Sequence, residues 1–94
     1  MSNKPAFATK PVTVEINGTE FTFKPTVTDA NNYTNEVMPD NKVAPARTYL
    51  LRTVEPDQKE ALTELLNAVP GLVVELHSTV HGASKGGITI TLKN

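Results

Sequence analysis

His77 and His81 stand four positions apart. On a helix they would share a face, the arrangement from which metal-binding pairs are built. A zinc site needs at least a third ligand. The chain has no cysteine, no H-E-x-x-H and no acid placed to complete the set, so the pair reads as two surface histidines beside a loop. Gly82–Gly87 contains Lys85, but glycine follows the lysine where a phosphate-cradling loop needs Ser or Thr. That stretch reads as a flexible linker. Asp40, Glu55, Asp57, Glu60 and Glu64 are acids of the kind that cap helix starts or stay solvated. Ser2, Ser78 and Ser84 lack the strand–turn–helix context of a nucleophile elbow. These residues predict no catalytic site, no metal site and no cofactor.

Binding is what remains. Arg47 and Arg52 flank Tyr49-Leu50-Leu51, and Tyr and Arg are favoured interface anchors. Leu51 lies off the helical stripe formed by Ala46, Leu50 and Val54. Val43, Arg47, Tyr49, Leu51 and Arg52 are therefore the candidate partner-binding residues. Periodicity alone leaves open whether Tyr49 or Leu51 faces outward, because a short helix can roll by one residue.

The elements that position these residues follow from pattern. Val12, Val14 and Ile16 alternate with polar residues, Asn17-Gly18 follows, and Phe21 and Phe23 alternate in turn. Asn-Gly between alternating runs predicts a hairpin with a two-residue type I′ turn, pairing Ile16 with Thr19, Val14 with Phe21 and Val12 with Phe23. Such a hairpin is marginal alone, so other elements must cover its apolar face. Thr28 or Asp29 can cap a helix over about Asp29–Val37. A loop, Met38–Ala44, is stiffened by Pro39 and Pro45 and leads into a helix from Pro45 to about Thr53. A third helix begins at Pro56 and lines Ala61, Leu62, Leu65, Leu66 and Val69 along one face, ending at Pro70-Gly71. Leu72–Val80 fits either strand or helix and leans to helix. Ile88–Leu92 alternates like a strand that could join the hairpin or form an exposed edge.

Ninety-four residues with a net charge of −1 and interspersed signs favour neither nucleic acid nor an anionic membrane as partner. No apolar run approaches the ~18 residues of a membrane span, and Met1–Pro11 has no apolar secretory segment. The absence of cysteine suits a reducing compartment. The expectation is a soluble intracellular protein with a flexible N-terminal tail over 1–11 and a single α+β domain over 12–94. That domain is a small antiparallel hairpin, possibly extended to three strands, packed by three or four short helices.

V-E-I-N-G-T-E-F-T-F at Val14–Phe23, N-K-V-A-P-A-R-T-Y-L-L-R-T-V at Asn41–Val54 and D-Q-K-E-A-L at Asp57–Leu62 resemble the tail assembly chaperones of tailed bacteriophages. The resemblance covers about Val14–Leu76, and its motifs are not catalytic. It implies a helper of virion morphogenesis in the bacterial host cytoplasm that is not an enzyme. Such a helper binds a tail protein, the tape measure or tail tube protein, and keeps the apolar-helix-rich tape measure chain soluble until the tube forms around it. It implies no cofactor and leaves the oligomeric state open. A reading from another class is a small phage-encoded regulator or inhibitor that binds a host protein.

Overall fold

The structure is a computed structural model that describes residues 10–85 and 90–93. Strand β1 (Val12–Ile16) and strand β2 (Thr19–Phe23) form an antiparallel hairpin, followed by helix α1 (Val27–Glu36) and helix α2 (Val43–Thr53). A single 3-10 turn at Pro56–Gln58 then leads into α3 (Lys59–Ala68) and α4 (Leu72–Ser84). The fold is α+β with the predicted hairpin register, Ile16 to Thr19, Val14 to Phe21 and Val12 to Phe23. Asn17 (φ 55°) and Gly18 (φ 83°) both take positive φ, as a type I′ turn demands.

Helix α1 begins two residues before the predicted start. Its cap is Thr26, not Thr28 or Asp29. The Thr26 hydroxyl accepts from the Asp29 N–H at 3.1 Å, and the Asp29 carboxylate accepts from the Thr26 N–H at 3.1 Å. This reciprocal box satisfies two otherwise orphaned donors, which a cap at Asp29 could not do. The Pro39-Asp40 turn is closed by paired backbone bonds between Met38 and Asn41, at 3.0 and 3.2 Å. Helix α2 then starts at Val43, so Pro45 is its third residue rather than its first. The first four N–H groups of a helix have no intrahelical acceptor, so proline is tolerated there too.

The core centres on α2, which packs against α1, α3 and α4. Phe23 of β2, Leu50 of α2, Leu62 of α3 and Val80 of α4 are its largest fully buried side chains. Helix α3 buries a narrower stripe than predicted. Leu62 and Leu66 are buried, Leu65 is half-buried, and Ala61 and Val69 are exposed. The chain reverses at Pro70-Gly71, where Gly71 takes φ 78°, and the ambiguous segment resolves as helix. That helix runs on through Gly82, Ala83 and Ser84, where the glycine-rich sequence predicts a flexible loop. Ser84 is buried, and its carbonyl accepts from the Lys10 N–H at 3.4 Å, so packing holds a stretch that glycine content alone would loosen. Gly86–Thr89 lie outside the described residues, as do Met1–Thr9, most of the predicted tail. Among the described residues the sheet has two strands. Ile90–Lys93 is not part of it, and Ile90 and Leu92 are 93% and 82% exposed.

Two expected outcomes test this architecture. A Cβ at Gly18 would meet nothing within 4 Å, so Gly18→Val tests backbone strain alone. Thermal unfolding should show a loss of about 1–3 kcal/mol, and an unchanged melting temperature would refute the turn assignment. Leu62→Ala should cost about 2–5 kcal/mol, as truncation of a fully buried leucine does, and half-buried Leu65→Ala distinctly less. Denaturant titration giving the reverse order would put the wrong face of α3 inward.

Candidate functional site

The five candidate residues all lie on α2, but the structure divides them. Val43, at the first position of the helix, is 55% exposed, and Arg47 is half-buried one turn later. Spaced by four, the two share a face. Leu51 is half-buried and packs against the core. Arg52 is exposed on the side turned to α1, with its Nε 3.9 Å from the Asp29 carboxylate. Tyr49 is 3% exposed, so it supports the helix from beneath and offers no surface to a partner. The roll left open by periodicity thus puts Tyr49 inward, because α1 and α4 both supply aromatic rings for it to pack on.

Val43 and Arg47 form one wall of an open groove of about 330 Å³. The other wall is the reversal between α3 and α4, from Leu66 through Pro70-Gly71 to Val73 and Val74. Val69 and Val74 are 41% and 45% exposed. Three valines, from α2, from the α3–α4 reversal and from α4, therefore surround one concavity, with Arg47 and Asn67 supplying its polar groups. Apolar side chains left open around a depression, with polar groups beside them, are the mark of a binding surface. Sequence reading missed Val69 and Val74. Apolar spacing puts Val69 in the buried stripe of α3, but it caps the helix where the chain turns and stays exposed. Val74 sits off the Leu72, Val73, Leu76, Val80 stripe, and that departure was the available signal, as it was for Leu51.

The histidines are not the surface pair the sequence suggested. His77 is 6% exposed. The Tyr33 ring of α1 lies 4.0 Å from it, centroid to centroid, and the Tyr49 ring of α2 stands edge-on at 4.7 Å. His81 stacks parallel to His77 at 5.6 Å. Tyr49 Oη, His77 Nε2 and His81 Nδ1 are buried without hydrogen-bond partners among the described residues. Ser84 lies beside the phenol but completes no hydrogen bond to it, its own hydroxyl donating to the His81 carbonyl at 2.8 Å. Burial raises the Tyr49 pKa above its ordinary value. Burial also holds both histidines below theirs, with His81 adding to the effect at His77 and Lys85 at His81. Among the described residues no set of three His, Cys, Asp or Glu side chains could hold a metal. The cluster is a neutral joint between α1, α2 and α4.

The model of the phage tail assembly chaperone family matches residues 12–94. The chain belongs to that family. It is also 37% identical over 83 residues to an uncharacterized 11.3 kDa protein in the lys 3′ region of Haemophilus phage HP1 (strain HP1c1). That similarity spans 88% of this chain and 80% of the relative. No solved structure matches. The family match extends beyond the motifs that carried the resemblance and takes in α4 and the C-terminal segment. No described helix is long and apolar enough to cross a membrane.

In this family member the buried histidines give a pH test. Their folded pKa values lie below the unfolded value of about 6.5, so the unfolded state binds protons first. Their neutral burial is fully compatible with folding above that value, and stability drains away as pH falls through it towards the lower folded pKa values. Tyr33 and Tyr49 face His77 from α1 and α2, and the burial that raises the Tyr49 pKa keeps that phenol neutral in this range. The melting temperature should therefore drop between about pH 7 and pH 5, and His77→Phe should flatten that slope. An equal slope in both proteins would mean that other groups carry it.

Proposed function

We propose that this protein is a phage tail assembly chaperone that works by holding an apolar segment of a tail protein, foremost the tape measure protein, during virion morphogenesis. The observation that carries the reading is the open groove on which Val43, Val69 and Val74 stay exposed. A long protein rich in apolar helices needs those faces covered before its final partner assembles around it. A shallow apolar groove beside an arginine suits an amphipathic helix laid along it. Val43 and Arg47 would contact the client directly. Leu51, one turn further on the face of Val43 and Arg47, would extend the contact along α2, Arg52 on the α1 side would stay outside it, and buried Tyr49 would keep the helix in position. The stiff Met38–Asn41 turn and Pro45 fix the start of α2, which lowers the ordering cost of binding.

Holding and releasing a client of this kind requires no bond-breaking chemistry and no cofactor. Family membership supports a protein-binding role in the host cytoplasm over an enzymatic one, and neither nucleic acid nor membrane is the proposed partner.

The test is co-expression with the phage's own tape measure and tail tube proteins, followed by co-purification and affinity measurement. A glutamate in the groove must be desolvated against valines. Val43→Glu and Val74→Glu should each weaken capture by at least about 2 kcal/mol, about thirtyfold. Leu51→Glu tests whether the contact runs along α2. Both groove variants must retain native circular dichroism. Unaltered capture by both would rule out the groove. A wild-type protein that leaves the tape measure protein insoluble would count against the chaperone reading itself.

A further inference from the structure

The two edges of the hairpin are treated differently. Three of the four outward backbone groups of Glu20 and Thr22 on β2 are taken. The Thr22 N–H donates to Gln58 Oε1 at 2.8 Å, its carbonyl accepts from the Glu55 N–H at 2.9 Å, and the Glu20 carbonyl accepts from Gln58 Nε2 at 3.4 Å. Thr22 and Glu20 are therefore non-hydrogen-bonded positions of the ladder, so their partners Thr13 and Glu15 point their N–H and C=O groups off the other edge. Among the described residues nothing pairs with those groups. An open edge of this kind is a template for another strand.

The C-terminal segment has the pattern that edge lacks. Ile90 and Leu92 are almost wholly exposed, and they alternate with Thr91 and Lys93. Laid beside β1, Ile90 and Leu92 would fall on the apolar face, next to Val14 and Ile16, which the domain leaves half-covered. Thr91 and Lys93 would fall on the outer face. There Glu15 and Glu20 stand directly opposite each other with no cation in ion-pair distance among the described residues. Like charges so placed destabilise a sheet, and Lys93 would offset them.

We infer that Ile90–Lys93 of one copy pairs with the β1 edge of a second copy, giving a two-fold dimer by reciprocal strand exchange. The second copy is favoured over the same chain by direction. Helix α4 ends beside Lys10, ahead of β1, so a segment returning along its own β1 would run parallel to it. Parallel pairing is the weaker arrangement per residue. A two-fold partner can present the same residues antiparallel, and each copy then gives and receives one segment.

Light scattering coupled to size exclusion, with the full chain at high micromolar concentration, is the test. The full chain should run as two copies. Truncation after Thr89 should give a single copy, and so should Leu92→Lys. Glu15→Pro removes one outward N–H without touching the hairpin ladder and should do the same while the helical circular dichroism is kept. Lys93→Glu changes both exchanged segments and should weaken dimerisation by about two- to thirtyfold, the worth of two cross-strand charge pairs. A full chain that stays single, or a dimer that survives both truncation and Glu15→Pro, would overturn the inference. A single-copy chain whose melting temperature falls on truncation would place the segment on its own domain and overturn it equally.

Discussion

The tie between the end of α2 and the outer edge of β2 is the contact on which the rest of the molecule depends. A two-stranded hairpin does not hold itself together in water. Here Thr53, Val54 and Glu55 run back along β2. The Lys24 N–H donates to the Thr53 carbonyl at 2.7 Å, Phe23 bridges to Val54, and the Gln58 side chain closes the remaining Thr22 donor. The Lys24–Glu55 ion pair at 2.9 Å lies across the same seam. Being partly exposed, it adds little beside the backbone bonds. This seam presses Phe21 and Phe23 onto Leu50 and Val54 and so brings sheet and helices into one core.

Everything else hangs from α2 once it is anchored at that end. Its inner face carries Ala46, Tyr49, Leu50 and Thr53, and the Thr53 hydroxyl folds back to the Tyr49 carbonyl at 2.8 Å. Between α1, α2 and α4 lies a cluster of phenol and imidazole rings, with three buried polar atoms that lack partners among the described residues. Such atoms cost free energy, and ring stacking among Tyr33, Tyr49, His77 and His81 offsets only part of it. The joint is therefore less stable than an aliphatic one of equal area. It lies on the side of α2 away from the groove wall formed by Val43 and Arg47.

The groove and the C-terminal segment share one physical feature, apolar side chains that the domain itself does not cover. Scattered exposed valines would be unremarkable. What sets these apart is convergence, since Val43 of α2, Val69 of the α3–α4 reversal and Val74 of α4 meet at one concavity. A protein that holds another chain has to keep such a surface uncovered in its free state. A small domain can afford few such surfaces, because its core leaves little stability to spare.

Some of this was legible in the residues alone. The hairpin, its register and its turn were determined locally, because Asn17-Gly18 is among the few pairs that accept positive φ at both positions and the alternation fixes which face is apolar. Helices α2 and α3 were likewise written in proline placement and apolar spacing, and the family's motifs lie in those same stretches. Tertiary structure alone decided the remainder. Leu72–Ser84 had no local preference strong enough to choose helix through Gly82, and burial of Val80 and Ser84 chose it. Thr26 won the α1 cap because its reciprocal bonds with Asp29 need both residues in place. His77 turned inward because rings on two other helices met it there. The groove was invisible for the same reason: periodicity tells which residues share a face of one helix, but a concavity exists only where faces of several helices fail to close over one another.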